Sequence, residues 1–219
     1  MKRILIASGK GGVGKTTITV NLAKKLNEDG YKVGILDADI VAPNVPILLD
    51  FKDRPRMEFY KDNLHPIEKD GIKIVSYYFE IDEDIPVLLY GNKRTEQILS
   101  AFCKEVDWGD IDILLVDCPP TTADEIVGLA NNLSHIEGAI IVTQGNTRVS
   151  VNDAKLSKAA FDYLNIRIFG VVQNMINEVF DEKIDIEKEL NLKILTKIPF
   201  GNPMKIDNLV KFVKEEVLE

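Results

Sequence analysis

A glycine-rich segment near the start of the chain has the residue types and spacing of a phosphate-binding loop. Residues 9–17 read Gly9, Lys10, Gly11, Gly12, Val13, Gly14, Lys15, Thr16 and Thr17, which fits the pattern G-x-x-x-x-G-K-[ST]. Glycines let consecutive backbone N–H groups turn toward one centre, where they can hold phosphate oxygens. Lys15 is then the cation for the β- and γ-phosphates, and the Thr16 hydroxyl is a ligand for Mg²⁺. The segment predicts a site for a nucleoside triphosphate.

The same glycines also fit a second pattern. Gly9, Gly11 and Gly14 satisfy G-x-G-x-x-G, and Asp37 follows about twenty residues later, as in dinucleotide-binding folds. A pyrophosphate at such a turn does not need the Lys-Thr pair that follows the last glycine here. Asp117, at the end of a later apolar run, adds a carboxylate suited to a metal. Both features favour a nucleoside triphosphate over a dinucleotide.

Acidic residues follow two further apolar runs. Asp37 and Asp39 come directly after one run, and Asp117 ends another. Phosphoryl transfer is catalysed mainly by positioning and charge stabilisation, so these carboxylates can hold the Mg²⁺ shell and orient the attacking water. Of Asp37 and Asp39, one is expected to serve the metal and the other the water. Asp117 is expected to form the second half of the magnesium site.

Apolar runs alternate with helical patterns along the chain. The runs are apolar on both faces, which is typical of parallel strands covered by helices on each side. They lie at residues 4–7, 32–36, 72–76, 111–116, 138–142 and 168–172, and the helical patterns lie at 16–28, 93–106, 122–134 and 148–164. This alternation predicts an α/β fold with a doubly wound, mainly parallel sheet and helices on both faces. We find no linker and expect a single domain over residues 1–219.

The composition limits the possible partners and the compartment. The 219 residues are 45 % hydrophobic and 28 % charged, with a net charge of −8. This acidic balance argues against constitutive binding of nucleic acid, which usually needs a basic excess. No apolar stretch approaches the roughly 18 residues that would span a membrane. Two distant cysteines, Cys103 and Cys118, suit a reducing compartment, so we expect a cytoplasmic protein.

Several motifs together resemble one class of ATPases. The loop with its second lysine, Lys10, resembles the deviant Walker A motif of the MinD/ParA class of P-loop ATPases. Further segments are similar to the Mrp/ApbC branch of that class, namely residues 36–46 (LDADIVAPNVP), 106–109 (VDWG), Asp117 with the two prolines that follow, and 170–175 (GVVQNM). The similarity covers most of residues 1–200.

The resemblance implies a homodimer that is closed by ATP. Lys10 would reach the phosphates of the ATP bound by the other subunit, because two facing anions repel unless each subunit supplies a cation to the other. Asp39 would assist hydrolysis, while Asp37 and Asp117 would support Mg²⁺.

The resemblance also implies how the nucleotide is held. Asn174 would read the adenine edge, and the segment after Pro199 would line the base. No guanine-reading Asn-Lys-x-Asp motif is present, which favours ATP over GTP. The loop contacts would come from Gly11, Gly12, Val13, Gly14, Lys15, Thr16 and Thr17.

The sequence leaves two classes of output open. Mrp/ApbC-type proteins usually hold an iron–sulfur cluster on a Cys-x-x-Cys after the Asn-Met strand, and residues 174–180 contain no cysteine. Since Cys103 and Cys118 fit buried structural thiols better, the sequence argues against a bound cluster. The first class is therefore a Mrp/ApbC-like ATPase switch whose protein partner or cargo is unknown. The alternative is a MinD/ParA-like positioning or partitioning ATPase that acts through a protein, membrane or DNA.

The C-terminal segment bears on the membrane alternative. Residues 203–219 place apolar side chains at near-helical spacing, but their lysines are balanced by glutamates. Helices that dock on membranes are usually rich in Lys and Arg on the polar face. We therefore expect this segment to pack onto the domain, and we expect neither a membrane nor a nucleic acid as partner.

Overall fold

The computed structural model of the protein describes residues 1–60, 63–81, 92–120, 123–145, 147–177, 182 and 184–219, and an eight-stranded β-sheet lies at its centre. The strands are β1 (Lys2–Ala7), β2 (Val33–Asp37), β3 (Glu58–Tyr60), β4 (Asn63–His65), β5 (Ile67–Lys69), β6 (Ile72–Val75), β7 (Ile113–Asp117), β8 (Gly138–Gln144), β9 (Ile168–Ile176) and β10 (Ile194–Pro199). The order in the sheet is β10-β9-β8-β1-β7-β2-β6-β5, and only the β5–β6 pair is antiparallel. Strands β3 and β4 form a separate antiparallel hairpin.

Helices cover both faces of this sheet. They are α1 (Lys15–Glu28), α2 (Val45–Leu48), α3 (Asn92–Lys104), α4 (Ala123–Asn132), α5 (Arg148–Tyr163), α6 (Ile186–Leu190) and α7 (Asp207–Val213). The chain moves across the sheet in one direction from β1 to β2, and in the other direction through β6, β7, β8, β9 and β10. Because parallel crossovers are right-handed, α1 lies on one face and α3 to α6 lie on the other. Helix α7 packs beside α1. The predicted fold class is confirmed.

The central strands end at the residues of the predicted site. Strands β2 and β7 are buried at every position, as continuous apolar runs in a covered sheet should be. Their last residues, Asp37 and Asp117, are partners in the register of the two strands. The adjacent strand β1 leads directly into the glycine loop. The two carboxylates and the loop therefore meet at the carboxyl edge.

Short elements at the margins differ from the sequence prediction. Strands β3, β4, β5 and β10 and helices α2 and α6 were not predicted, because three to six residues with exposed positions give little periodic signal. Residue 122 of the predicted helix 122–134 and residues 178–180 of the segment 174–180 lie outside the described residues.

The C-terminal segment packs onto the domain, as predicted. Helix α7 buries Leu209, Val210 and Val213, and the π-helical turn Lys214–Leu218 buries Val217. The Phe212 ring meets Phe169 of β9 edge-on, with ring centroids 5.7 Å apart. Among the described residues, no helix has the length and apolar character that crossing a bilayer would need.

Candidate functional site

The glycine loop lies between β1 and α1 and turns through backbone conformations that favour glycine. Gly12 has φ 78° and Gly14 has φ 86°, both in the left-handed region. Gly14 is also the N-cap of α1, so the helix begins at Lys15. The first N–H groups of α1 have no partner within the helix and are available to an anion.

Two neighbours press closely on the loop. A Cβ atom at Gly9 would overlap the backbone carbonyl of Asp153 on α5. A Cβ atom at Gly14 would overlap the side-chain amide of Asn174 at the end of β9. Glycine is therefore required at these positions by close packing, at Gly14 in addition to its backbone angle.

Lys15 and Asp117 form a buried ion pair at the base of the loop. The Lys15 Nζ lies 3.2 Å from Asp117 Oδ1, and the two side chains are 7 % and 1 % exposed. The Thr16 hydroxyl donates to Asp117 Oδ2 at 2.7 Å, and the Thr19 hydroxyl lies 3.0 Å from Oδ1. The two residues expected to contact phosphate and metal are thus held by the carboxylate of β7. Thr19 was not predicted to belong to the site. Its position one helical turn after Lys15 places it on the same face of α1 and could have indicated this contact.

Asp37 is buried beside this cluster and faces the loop that follows β2. Its Oδ1 accepts the backbone N–H of Asp39 at 3.3 Å, and its Oδ2 accepts the N–H of Val45 at 3.2 Å. The Ser76 hydroxyl, at the end of β6, donates to Oδ2 at 2.9 Å. Ser76 was also not predicted, because its role depends on β6 lying next to β2.

The paired carboxylates are electrostatically suited to a divalent cation. Burial, together with the neighbouring Asp117 charge, raises the pKa of Asp37 to about 8. Burial also raises the pKa of Asp117, although Lys15 and the two threonine hydroxyls oppose this shift. Mg²⁺ prefers oxygen ligands. It usually takes only one or two of them from carboxylates of the protein and completes its coordination shell with phosphate and water. Thr16, Asp117 and Asp37 therefore fit the magnesium site that the sequence predicted.

An open cavity of about 370 Å³ lies over the loop. Residues 10–17 form its floor, and Asp39, Asn44 and Met175 contribute to its walls. The half-buried Asp39 accepts the Ala42 N–H at 2.9 Å, which closes a short turn beside the cavity. The structure thus brings Asp39 to the same space as Lys10 and Lys15.

Lys10 points toward helix α5 in this structure. Its Nζ lies 3.7 Å from Asp153 Oδ2 on α5, and its side chain is 34 % exposed. This separation is too long for a hydrogen bond, and Asp153 Oδ2 is buried with no hydrogen-bond partner among the described residues. Within that part of the chain, charge attraction to Asp153 is the contact that holds the Lys10 ammonium at the rim of the cavity.

Asn174 and Pro199 lie near the loop in different ways. Asn174 is buried, and its Nδ2 donates to the carbonyl of Val13 at 2.8 Å, which ties β9 to the glycine loop. Pro199 ends β10 in register with Ile176 and is exposed. It is not among the residues that line the cavity. Contacts of Asn174 and of the segment after Pro199 with a base stay predictions.

The two cysteines differ in exposure, since Cys118 is buried and Cys103 is half-buried. Burial raises the pKa of the Cys103 thiol and of the Cys118 thiol to about 12. Thiolates, rather than thiols, bind metals. Within the described ranges, no group of three or more His, Cys, Asp or Glu side chains could hold a metal ion.

Comparisons with known proteins agree with this geometry. The chain is 39 % identical over 209 residues to an iron-sulfur cluster carrier protein of Methanocaldococcus jannaschii, which covers 90 % of this chain and 72 % of that relative. The nucleotide-binding protein of Archaeoglobus fulgidus in complex with ADP has a TM-score of 0.71 at 27 % identity, covering 100 % of this chain and 92 % of that one. The septum site-determining protein MinD of Pyrococcus horikoshii, complexed with Mg-ADP, has a TM-score of 0.70 at 22 % identity over 96 % and 85 % of the two chains and shares the fold.

The family assignment follows from these matches. The sequence argued against a bound iron–sulfur cluster. The archaeal relative is named an iron-sulfur cluster carrier protein, so this comparison does not support that doubt. The resemblance to the Mrp-like branch of the MinD/ParA class is confirmed. The family model for ParA, described as the NUBPL iron-transfer P-loop NTPase, matches residues 1–205. The chain therefore belongs to the ParA family of P-loop NTPases, in its NUBPL iron-transfer group.

Proposed function

We propose that residues 1–219 form one Mg²⁺-dependent ATPase domain that works in the cytoplasm as an ATP-closed homodimer. The observation that carries this proposal is the Lys15–Asp117–Thr16 cluster at the floor of the cavity. It combines a cation for phosphates, a metal-ligating hydroxyl and a buried carboxylate on the end of a strand, which are the parts that phosphoryl transfer needs.

The residues divide the work of hydrolysis among them. Lys15 leaves Asp117 to meet the β- and γ-phosphates, and the backbone N–H groups of the loop hold the phosphate oxygens. Thr16, Asp37 and Asp117 would hold Mg²⁺, which would supply neutralisation of the charge on the phosphates. Asp39 orients the attacking water from the cavity wall.

Exposed residues at the rim of the cavity are the observation that supports the proposed dimer. Lys10 lies there with one third of its side chain exposed. Two apolar side chains that line the cavity are exposed, with Ile47 55 % and Leu48 40 % exposed. A second subunit that covers these residues would also bring its own Lys10 toward the bound nucleotide.

Replacing Asp39 by alanine is expected to trap the ATP-bound dimer. The variant keeps Lys15 and the loop, so ATP still binds, but the water loses the carboxylate that orients it. We expect hydrolysis to slow by about 10²-fold or more, as for loss of one positioned catalytic group. Steady-state phosphate release and sedimentation with ATP measure the two effects. Asp53→Ala, at an exposed aspartate away from the cavity, is the control, and normal turnover in Asp39→Ala would remove Asp39 from the mechanism.

We further propose that this ATPase serves iron–sulfur cluster delivery with cluster ligands that a partner supplies. The relative's name points to cluster chemistry, and the family model is one of iron transfer. In the described structure Cys118 is buried and Cys103 is half-buried, and burial raises the pKa of both thiols to about 12. The ATP-driven closure would then bind or release a cluster-bearing protein.

Anaerobic reconstitution with iron and sulfide tests where the ligands come from. The chain alone is expected to retain much less than one cluster per dimer, with or without ATP, because Cys118 is buried and the described residues contain no group of three or more metal-binding side chains. Iron and sulfide analysis and the visible absorption spectrum report the result. A stable cluster with about four irons per dimer, lost in Cys103→Ser or Cys118→Ser, would show instead that this chain is itself the carrier.

A further inference from the structure

Ser76 is a buried residue outside the recognised motifs that touches the magnesium site. It follows β6 directly, is 0 % exposed, and its Oγ donates to Asp37 Oδ2 at 2.9 Å. Strand β6 pairs with β2 in parallel register, with Val75 opposite Leu36, so the end of β6 lies beside the carboxylate that ends β2. The hydroxyl reaches Asp37 only because of this strand order.

A second hydrogen bond fixes the direction in which the Ser76 hydroxyl points. The backbone N–H of Tyr78 donates to Ser76 Oγ at 3.3 Å, which makes Ser76 the N-cap of the 3₁₀ turn Tyr77–Glu80. A hydroxyl has one proton, and this oxygen is already an acceptor for Tyr78. An ionised carboxylate can only accept, so the Ser76 proton is directed to the ionised Asp37, and the turn after β6 is connected to the site.

Asp37 is hydrogen-bonded to the loop that contains Asp39, so a fixed Asp37 carboxylate also fixes this loop. Its carboxylate accepts the N–H groups of Asp39 and Val45, which bracket residues 39–45. Asp39 and Asn44 of this loop line the cavity. If the carboxylate of Asp37 rotates, both ends of the loop lose their acceptor at the same time.

We propose that Ser76 is a positioning residue that sets the Asp37 carboxylate, and through it the loop at 39–45, for Mg²⁺-dependent binding of ATP. This inference rests on the proposed function of the site. Ser76 is not among the residues that line the cavity. It supplies the one side-chain donor to Asp37 among the described residues.

The ratio of ATP dissociation constants in EDTA and in Mg²⁺ tests this role. Ser76→Ala is expected to lower that ratio about tenfold, since a hydrogen bond to a charged group contributes about that factor or more. The dissociation constant in EDTA should change less than about twofold, because the loop and Lys15 are intact. Calorimetry measures both constants, and Ser76→Thr, which keeps the hydroxyl, should restore the ratio.

A second measurement needs neither metal nor nucleotide. In Ser76→Ala, hydrogen–deuterium exchange should accelerate in peptides that cover residues 38–45 and stay unchanged in β8 and β9. The matched control is Thr196→Val, which removes another buried hydroxyl, on β10 away from the cavity. Neither the affinity ratio nor the exchange should change in that control.

The outcomes separate this inference from the proposed function. If the wild-type chain binds MgATP and Ser76→Ala keeps the wild-type ratio, the positioning role is wrong while the ATPase proposal stands. An equal loss of affinity in EDTA and in Mg²⁺ would also overturn it, since it would indicate a general packing role. If the wild-type chain binds no ATP, the proposed function fails, and this inference fails with it.

Discussion

Replacing Lys15 by alanine is expected to abolish ATP binding, with the dissociation constant weakened by at least about 10²-fold. Lys15 is the buried cation at the floor of the cavity, 3.2 Å from Asp117. Without it, the β- and γ-phosphates would approach two buried carboxylates with no lysine between them. Charge-assisted hydrogen bonds of a lysine to phosphate contribute about 1.5–3 kcal/mol each, and the repulsion adds to that loss. Isothermal calorimetry with MgATP measures the change.

The control for this variant must separate ligand binding from folding. Breaking a buried ion pair by removing one partner can cost about 3–5 kcal/mol of stability. Here the cost is lowered because burial already raises the pKa of Asp117, so that carboxyl can take up a proton when Lys15 is absent. Thermal unfolding of Lys15→Ala shows whether the fold survives, and Lys25→Ala, at the far end of α1, is the matched lysine control. Micromolar affinity in a folded Lys15→Ala variant would refute the assignment of the phosphate loop.

Lys10→Ala is expected to bind ATP with nearly unchanged affinity but to remain monomeric when ATP is present. In the subunit described by the structure, Lys10 is paired with Asp153 at 3.7 Å and is not needed to form the loop. In the proposed dimer it leaves Asp153 and neutralises the phosphates across the interface. Without that cation, two facing nucleotides repel each other at short range, where the screening by water and salt is weak.

Sedimentation velocity with and without ATP measures this prediction. The wild-type chain should shift toward the dimer with ATP, and the shift should disappear in Lys10→Ala while calorimetry still detects binding. Lys2→Ala is the matched control, because Lys2 lies in β1 and pairs with Glu137 on the surface. An ATP-dependent shift of wild-type size in Lys10→Ala would show that Lys10 does not act on the nucleotide of the other subunit.

The phosphate loop and its neighbouring carboxylates were predictable because short stretches of consecutive residues define them. The glycine loop needs a strand before it and a helix after it, and β1 and α1 occupy those places within two residues of the predicted bounds. Asp37 and Asp117 end apolar runs, and the carboxyl ends of parallel strands meet at one edge of a sheet. The sequence therefore determined the fold class, the phosphate loop and the two carboxylates beside it.

The partners of these residues depended on which elements lie side by side. Asp153 faces Lys10 from a helix far along the chain, and nothing near either residue predicts that contact. Asn174 reaches the carbonyl of Val13 across a similar distance in sequence. Ser76 meets Asp37 only because β6 is the neighbour of β2.

The physical reason for this division is the range of the interactions. Strand and helix patterns, glycine turns and capping positions act over a few residues, so the sequence by itself determined a P-loop with Lys15, Thr16 and its acidic neighbours. Buried hydrogen bonds and ion pairs are satisfied by whichever groups the packed sheet brings within about 3 Å, however far apart they are in the chain. Only the tertiary structure decided that Lys10 rests on Asp153, that Asn174 holds the loop, and that Ser76 holds Asp37.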